Sequence, residues 1–257
     1  MLIVTCTNRK GGVLKTTLVF MMAVFFGVVK GKKVLVVDGD PSANASKSFS
    51  ARIRDEADDT RILPSLSSFL ESDVDIVSSD HAISLMPGDI RLTQLEHIDS
   101  VNVIEALGEL RSLSQFDLIL IDTAPTATNF VVAAKAISDF LVIPHSFTDF
   151  SQGGIEEVTS QLNTLRKKKI SRAELLAIVP TLIDGGDEDQ CKEVISALKG
   201  ELAGYISPPI NNRRAGRQAM ASALAPWEFK TQSQIIKETL AAMAFINKRL
   251  YPITKEL

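Results

Sequence analysis

The chain has 257 residues, 45% of them hydrophobic, which is enough to bury the core of one α/β domain, and we predict a single domain over residues 1–257. The net charge of −3 excludes a uniformly basic nucleic-acid binder but leaves room for local basic patches. Two cysteines, Cys6 and Cys191, are too few for a disulfide framework, and the N-terminal residues lack the features of a signal peptide.

The first predicted elements are a short β-branched strand at Leu2–Thr5 and an apolar helix at Leu18–Val29, which is too short for a membrane span. The segment between them, Asn8–Thr17, reads N-R-K-G-G-V-L-K-T-T. A glycine-bearing loop that follows a strand and ends in Lys-Thr at the start of a helix is typical of a phosphate-binding loop. A Gly-Gly turn with incidental lysines is the alternative interpretation.

The residue types in this loop suit a bound nucleotide. Gly11 and Gly12 let successive backbone N–H groups face one anion, and the start of the helix adds unpaired N–H groups and its positive dipole end. Lys15 would reach the β- and γ-phosphates, and the hydroxyl of Thr16 would bind Mg2+. We therefore expect a nucleoside triphosphate and Mg2+ as cofactors.

The loop departs from the usual pattern G-x-x-x-x-G-K-[ST], because Leu14 stands where that pattern has its second glycine. It reads K-G-G-x-x-K-[ST], with Lys10 in front, and so resembles the deviant Walker A motif of the ParA/MinD family of ATPases. The resemblance implies that Lys10 reaches the phosphates of a partner subunit across a nucleotide-sandwich dimer. Leu14 puts the loop geometry and the hydrolysis rate in question. The residues expected to contact ATP are Lys10, Gly11, Gly12, Val13, Leu14, Lys15, Thr16 and Thr17.

The next predicted strand, Val34–Val37, is continuously apolar and leads into D-G-D-P at residues 38–41. Carboxylates at the C-terminal end of a parallel strand lie where open α/β sheets bind ligands. The segment resembles the D-x-D-P first switch of the family, which implies that Asp40 orients or activates the attacking water and that Asp38 helps to hold the magnesium shell. Two aspartates in an ordinary strand-to-loop turn are the alternative.

The segment from Ala51 to Leu110 has a weaker pattern, with 13 acidic and only four basic residues. We predict helices near Leu63–Leu70 and Val101–Leu113, and a strand at Ala82–Met86. A solvent-exposed acidic face is the simplest interpretation of the charge.

A second continuous apolar strand, Phe116–Asp122, also ends in a carboxylate. It resembles a Walker B strand, which implies that Asp122 accepts a hydrogen bond from magnesium-bound water or from Thr16. The following residues complete the D-T-x-P pattern of the family's second switch, a loop expected to become ordered by the γ-phosphate. By resemblance, the catalytic residues are Lys10, Lys15 and Asp40, and the metal-binding residues are Thr16, Asp38 and Asp122.

The rest of the chain alternates predicted helices with predicted strands. Helices are expected at Asn129–Ser138, from Ile155 onward and at Glu188–Lys199, and strands at Phe140–Ile143 and Leu175–Pro180. The segment Tyr205–Ile210 resembles the family's last strand and the loop beside adenine. With the resemblance, this alternation implies an α/β fold of the P-loop NTPase type, a mostly parallel twisted sheet with helices on both faces.

The last third of the chain is locally basic. Between Gly204 and Leu250 there are seven basic and two acidic residues, a local excess of five positive charges. Such an excess favours contact with DNA phosphates without sequence preference, and the family's non-specific DNA binding comes from basic residues in this region. A solvated helix surface is an equally common origin of such a run. The candidate DNA-binding residues are Arg213, Arg214, Lys230 and Lys237.

The resemblance implies a ParA-type partition ATPase, closest to small members without an N-terminal helix-turn-helix, because the chain begins at the first strand. ATP and Mg2+ would join two subunits into a homodimer, and the dimer would bind DNA non-specifically. A ParB-type centromere-binding protein would stimulate slow hydrolysis to ADP and phosphate, so that plasmid or chromosome DNA is segregated. This implies a cytoplasmic, nucleoid-associated protein.

Two alternatives stay open. A MinD-like membrane-surface switch would carry a C-terminal amphipathic helix, of which Phe245–Tyr251 has only a trace before Pro252, so no stable membrane association is expected. A ParA-like ATPase that positions a protein cargo is the other. An electron-transferring relative of the nitrogenase iron protein would need paired cluster cysteines, which this sequence lacks.

Overall fold

The computed structural model describes residues 1–54, 59–71, 76, 80–146, 153–183, 202–229 and 234–252. The strands in these ranges are β1 (Leu2–Cys6), β2 (Val34–Gly39), β3 (Thr60–Ile62), β4 (Ile83–Met86), β5 (Leu118–Thr123), β6 (Phe140–Ser146), β7 (Glu174–Ile183) and β8 (Ile210–Asn211). They form one sheet in the order β3-β4-β2-β5-β1-β6-β7-β8. Every neighbouring pair is parallel.

Helices connect the strands and cover the sheet. The α-helices in the described ranges are α1 (Lys15–Val24), α2 (Asn44–Arg54), α3 (Leu66–Leu70), α4 (Ser100–Gly108), α5 (Asn129–Ile137), α6 (Gly153–Lys167), α7 (Arg214–Ala221) and α8 (Gln234–Leu250). Short 3-10 helices occur at Ile90–His97, Glu109–Ser112 and Ala203–Tyr205.

The continuous apolar runs form the centre of the sheet. Every residue of β2 and of β5 is buried. Successive residues of a strand point to opposite faces, so one strand contributes to two cores. In β2, Val34 and Val36 belong to the core that includes α1 and α8, whereas Leu35 and Val37 belong to the core that includes α4 and α5. The predicted α/β fold, a parallel sheet with helices on both faces, is confirmed.

The strand order brings the three sequence motifs to one edge. β5 lies between β2 and β1, and Asp122 is the register partner of both Asp38 and Cys6. Because these strands are parallel, the loops that follow them all leave from the C-terminal edge of the sheet. The phosphate loop and both aspartate motifs are therefore neighbours.

The segment Tyr205–Ile210, expected to hold the last strand and a loop, pairs regularly only at its end. Residues Ala203–Tyr205 form a 3-10 helix, and Ile206 makes only an isolated bridge to β7. Pro208 and Pro209 lack the N–H groups that a ladder needs, so regular pairing starts only at β8.

Other boundaries also differ from the prediction. The helix predicted at Leu18–Val29 begins earlier, with α1, and its last five residues form a π-helix, Phe25–Val29. The helix near Leu63–Leu70 begins only after Ser65, whose hydroxyl accepts a hydrogen bond from the backbone of the first turn. The strand β3 was not predicted. The helix predicted at Glu188–Lys199 lies outside the described residues.

Candidate functional site

The three motif loops line one cleft at the C-terminal edge of the sheet. The cleft has a volume of about 860 Å3 and is bordered by the loop before α1, by residues between Asp40 and Ser48, and by Thr123–Thr126. Open α/β sheets bind ligands at this edge. Three separate stretches of the sequence thus come together in one place.

The phosphate loop is held by side chains from both neighbouring regions of the sheet. Asn8 donates from Nδ2 to the carbonyl of Pro144 at 2.8 Å, and its Oδ1 accepts from the backbone N–H of Lys10 at 2.9 Å. Thr181 in β7 donates from Oγ1 to the carbonyl of Val13 at 3.1 Å. The contacts of Asn8 with Pro144 and of Thr181 with Val13 were not identified from the sequence, because each joins residues more than a hundred positions apart.

The backbone of the loop turns through two left-handed residues. Gly12 has φ 73°, a conformation that glycine adopts without steric cost. Leu14 has φ 66° and ψ 32°, and in this conformation its Cβ approaches the following carbonyl oxygen at a cost of about 1–2 kcal/mol. The glycine of the usual phosphate-loop pattern would therefore fit this position without that strain.

The loop carries two lysines, of which Lys15 lines the cleft. Lys15, the first residue of α1, is only 7% exposed, and its Nζ donates to the carbonyl of Lys10 at 3.1 Å. Burial lowers the pKa of Lys15 below its ordinary value. A bound phosphate would return counter-charge to this ammonium and would also meet the unpaired N–H groups at the start of α1. Lys10 is partly exposed at the front of the loop.

Asp122 connects the end of β5 to the phosphate loop. Its Oδ2 accepts a hydrogen bond of 2.7 Å from Oγ1 of Thr16, as the sequence suggested. Asp122 is 0% exposed, and its pKa is raised to about 7, mainly by burial and also by the carboxylate of Asp38. The hydrogen bond from Thr16 opposes this shift in pKa. Near pH 7 this carboxyl group is therefore present in both its protonated and its ionised form, and a cation bound beside it would favour the ionised form.

The two aspartates after β2 have different environments. Asp38 is fully buried, and its Oδ2 accepts from the backbone N–H and the hydroxyl of Ser46 at 2.7 and 2.6 Å. Burial raises the pKa of Asp38. Asp40 is partly exposed in the cleft, and its Oδ1 accepts from Ser42 Oγ at 2.6 Å. Ser46, which orients Asp38 from the start of α2, was not identified from the sequence.

The residues present fit a magnesium ion. The donors at this edge are the hydroxyl of Thr16 and the carboxylates of Asp122 and Asp38, all oxygen ligands of the kind that Mg2+ prefers. Within the described ranges, no three His, Cys, Asp or Glu side chains form a metal cage by themselves. An ion held by one hydroxyl, by water and by ligand phosphates agrees with that donor set.

A second cleft of about 260 Å3 adjoins the first, and Leu14 and Thr17 line both. Its walls come from α1, β8, α7 and α8 and are mainly apolar. One polar atom is notable: the Oδ1 of Asn211, which lines the cleft, is buried and has no hydrogen-bond partner in the described structure. Leu14 and Thr17 were expected to contact ATP, and Arg213, which also lines this cleft, was expected to bind DNA. The cleft itself was not predicted from the sequence, because it is assembled from four distant segments.

The predicted DNA-binding residues differ in their surroundings. Arg213 forms an ion pair with Glu238, with Nη2 and Oε1 2.6 Å apart, so its charge is balanced within the chain. Arg214 and Lys237 are exposed. Lys230 lies outside the described residues.

The parallel sheet, the phosphate loop between β1 and α1, and the carboxylates at neighbouring strand ends define a P-loop nucleotide-binding protein. A family model described as an AAA domain matches residues 1–175, more than half of the chain. The chain belongs to this family, as an ATPase of the ParA/MinD type. The family resemblance drawn from the three motifs is confirmed.

Similar proteins agree with this assignment. The chromosome-partitioning ATPase Soj of Thermus thermophilus is 27% identical over 224 residues, which cover 86% of each chain. A plasmid partition protein of Borrelia burgdorferi, solved with AMPPNP, has a TM-score of 0.75 and 21% identity over 96% of this chain and 98% of its own. An ATP complex of a Cyanothece McdA variant has a TM-score of 0.80 and 20% identity over 97% and 96%. The two solved structures show the shared fold.

The large apolar residues of the last helix, α8, pack inside the protein. None of the helices in the described ranges combines the length and the apolar character that crossing a bilayer requires. In α8, the buried residues Ile235, Met243, Ile246 and Leu250 pack into the core beside α1.

Proposed function

We propose that this protein is an ATP-driven partition switch that binds ATP and Mg2+, closes into a homodimer and binds DNA non-specifically. Hydrolysis is slow until a ParB-type centromere-binding partner stimulates it. The observation that carries the proposal is the 2.7 Å hydrogen bond between Thr16 Oγ1 and Asp122 Oδ2, beside the buried ammonium of Lys15. The hydroxyl and the carboxylate are groups that would bind Mg2+, and the ammonium group is one that would bind the phosphates of a triphosphate.

Each residue at this edge has a role in the proposal. Lys15 and the backbone N–H groups of the loop hold the phosphates, and Thr16 binds Mg2+ directly. Asp122 and Asp38 would help to hold the ion with their carboxylates, and bound Mg2+ would supply positive charge to balance the negative charge on the transferred phosphoryl group. Asp40, positioned by Ser42, orients the attacking water.

Lys10 is assigned to the nucleotide of the second subunit. Its backbone is fixed on both sides, since its N–H donates to Asn8 and its carbonyl accepts from Lys15. A cation presented from a fixed backbone at the front of the loop suits a contact made in trans, in the manner of an arginine finger. The dimer would then form only when a triphosphate is bound.

The second cleft is proposed to hold adenine. Its apolar walls suit a planar ring, and its junction with the first cleft at Leu14 and Thr17 places it next to the phosphates. The unpaired Oδ1 of Asn211 is an acceptor, which matches the exocyclic amine of adenine. Guanine presents a carbonyl oxygen at that position, so two acceptors would face each other. We expect ATP to bind more tightly than GTP.

The basic face around α7 and α8 is proposed to bind DNA. Arg214 and Lys237 are exposed and contribute positive charge, whereas Arg213 is paired with Glu238. Contacts of this kind are made with phosphates and weaken steeply with salt. In α8, Ile235, Met243, Ile246 and Leu250 are buried, and the partly buried Ile236, Leu240 and Phe245 pack against the same core. Because the large apolar residues of this helix are used inside the protein, they argue against a MinD-like membrane switch.

The decisive experiment measures DNA binding with ATP, with ADP and without nucleotide, over a series of salt concentrations. We expect binding with ATP and Mg2+ only, with affinity falling as salt rises. Arg214→Ala and Lys237→Ala should each reduce the slope of log affinity against log salt by about 1. Arg172→Ala, an exposed arginine after α6, is the matched control and should leave the slope unchanged. Binding to anionic liposomes instead of DNA would contradict the proposal.

A further inference from the structure

A buried lysine away from the nucleotide edge has no carboxylate partner in the described part of the chain. Lys135 in α5 is 1% exposed, and its Nζ donates one hydrogen bond of 2.7 Å, to Oε1 of Gln161 in α6. An ammonium group has three donors, and a buried cation without counter-charge is unfavourable. The proposed ATPase cycle does not use this residue.

Lys135 lines a cleft between α5 and α6, called here the α5–α6 cleft. It has a volume of about 260 Å3 and is lined by Val132, Lys135, Ser160, Gln161, Thr164 and Leu165. A neighbouring cleft of about 410 Å3 lies along α6, shares Ser160 and Thr164 with the α5–α6 cleft and adds Thr159, Asn163 and Lys167. The polar groups of these two clefts are hydroxyls, amides and two ammonium groups, and no carboxylate of the described residues lines either of them.

The electrostatic environment of this cleft is positive. The pKa of Lys135 is lowered to about 8, mainly by burial and also by the guanidinium of Arg9. At pH 7 the side chain still carries its proton in most molecules. An anion in the cleft would supply the counter-charge that the protein does not provide, so its binding would stabilise the folded state.

We propose that the cleft between α5 and α6 is a binding site for a small oxyanion, a phosphate or a carboxylate, anchored by Lys135. The anion's oxygens would accept hydrogen bonds from the ammonium group and from the hydroxyl of Ser160, which is exposed at the cleft and makes no hydrogen bond within the described structure. Gln161 would present its NH2 group to the anion in place of its oxygen. The inference is independent of the proposed function.

The test uses the full chain without nucleotide or Mg2+, and inorganic phosphate or malonate as the probe, with sodium chloride at equal ionic strength as the reference. At ten times the dissociation constant, the folding equilibrium constant of the wild type should rise about elevenfold, seen as a higher urea midpoint. Lys135→Met, which keeps the side-chain length, should lose this response. Ser160→Ala should weaken it. Lys15→Ala should retain it, because the anion does not act through the phosphate loop.

Gln161→Glu keeps the test decisive if Lys135→Met does not fold. This substitution places a carboxylate where the amide oxygen now accepts from Lys135, so it should raise the urea midpoint without added anion. Because the phosphate loop can also bind phosphate through Lys15, all responses are compared in the Lys15→Ala background, where Gln161→Glu should abolish the response to both probes. A response of Lys15→Ala to either probe that Gln161→Glu removes supports the site and identifies the oxygen group that it prefers. An equal response with and without Gln161→Glu in this background, or no response of Lys15→Ala to either probe, would overturn the inference.

Discussion

Replacing Asp122 by asparagine tests the electrostatics at the centre of the site. Asp122 is fully buried at the end of β5, and burial raises its pKa from the ordinary 3.8 to about 7. Asp122→Asn removes the charge but keeps an oxygen that can accept the hydrogen bond from Thr16. We expect the variant to lose ATP hydrolysis and to gain stability without ligand at alkaline pH.

The sign and size of this gain follow from proton linkage. Between about pH 4 and pH 7 the folded state binds more protons at Asp122 than the unfolded state does, so the wild type loses stability as the pH rises through this range. The loss is complete above pH 7. At about 1.4 kcal/mol for each pKa unit, the difference between 3.8 and about 7 corresponds to about 4 kcal/mol. Asp122→Asn should recover an amount of this order at pH 8.

The assay is urea denaturation in EDTA, without nucleotide, at pH values from 5 to 8.5. The free energy of unfolding of Asp122→Asn should exceed that of the wild type by an amount that grows with pH. Asp80→Asn removes a carboxylate that is fully exposed and should leave the pH dependence unchanged. If the difference in the free energy of unfolding between Asp122→Asn and the wild type stays constant from pH 5 to 8.5, the pKa of Asp122 is not raised in the folded state.

Four further substitutions test other parts of the structure. Lys10→Ala should bind ATP as a monomer but neither dimerise nor hydrolyse it, and unchanged turnover would count against the contact in trans. Asp40→Ala should trap the ATP dimer, a prediction lost if light scattering with ATP and Mg2+ shows only monomer. Leu14→Gly should be more stable than Leu14→Ala by about 1 kcal/mol in urea denaturation, because only alanine keeps a Cβ at φ 66°. Arg52→Ala should cost about 3 kcal/mol of stability, because it leaves two carboxylates without their buried partner; the exposed Arg91→Ala, as control, should cost clearly less.

The centre of the sheet could be predicted from the sequence because burial on both faces leaves a plain pattern. Val34–Val37 and Phe116–Asp122 are continuous apolar runs that end in carboxylates, and both form central strands. The edges left no comparable pattern. β3 has only three residues, and the prolines before β8 leave a strand of only two residues.

The same distinction applies to the candidate site. Thr16 and Asp122 could be proposed because each belongs to a motif whose own residues are close together in the sequence, and the strands bring the two motifs to one edge. The side chains that hold them could not. Asn8 and Thr181 fix the loop through backbone carbonyls far away in the chain, and Asn211 faces a cleft that exists only after four segments have packed together. Such contacts depend on tertiary structure and leave no pattern in the sequence.

The joining of two subunits by a bound triphosphate is tested most directly by the mass of the protein in solution, measured by light scattering. We expect twice the monomer mass with ATP and Mg2+, the monomer mass with ADP, and a monomer under both conditions for Lys15→Ala. A wild-type chain that stays monomeric at saturating ATP and Mg2+, or one that dimerises equally well as Lys15→Ala, would contradict the claim that a bound triphosphate joins the two subunits.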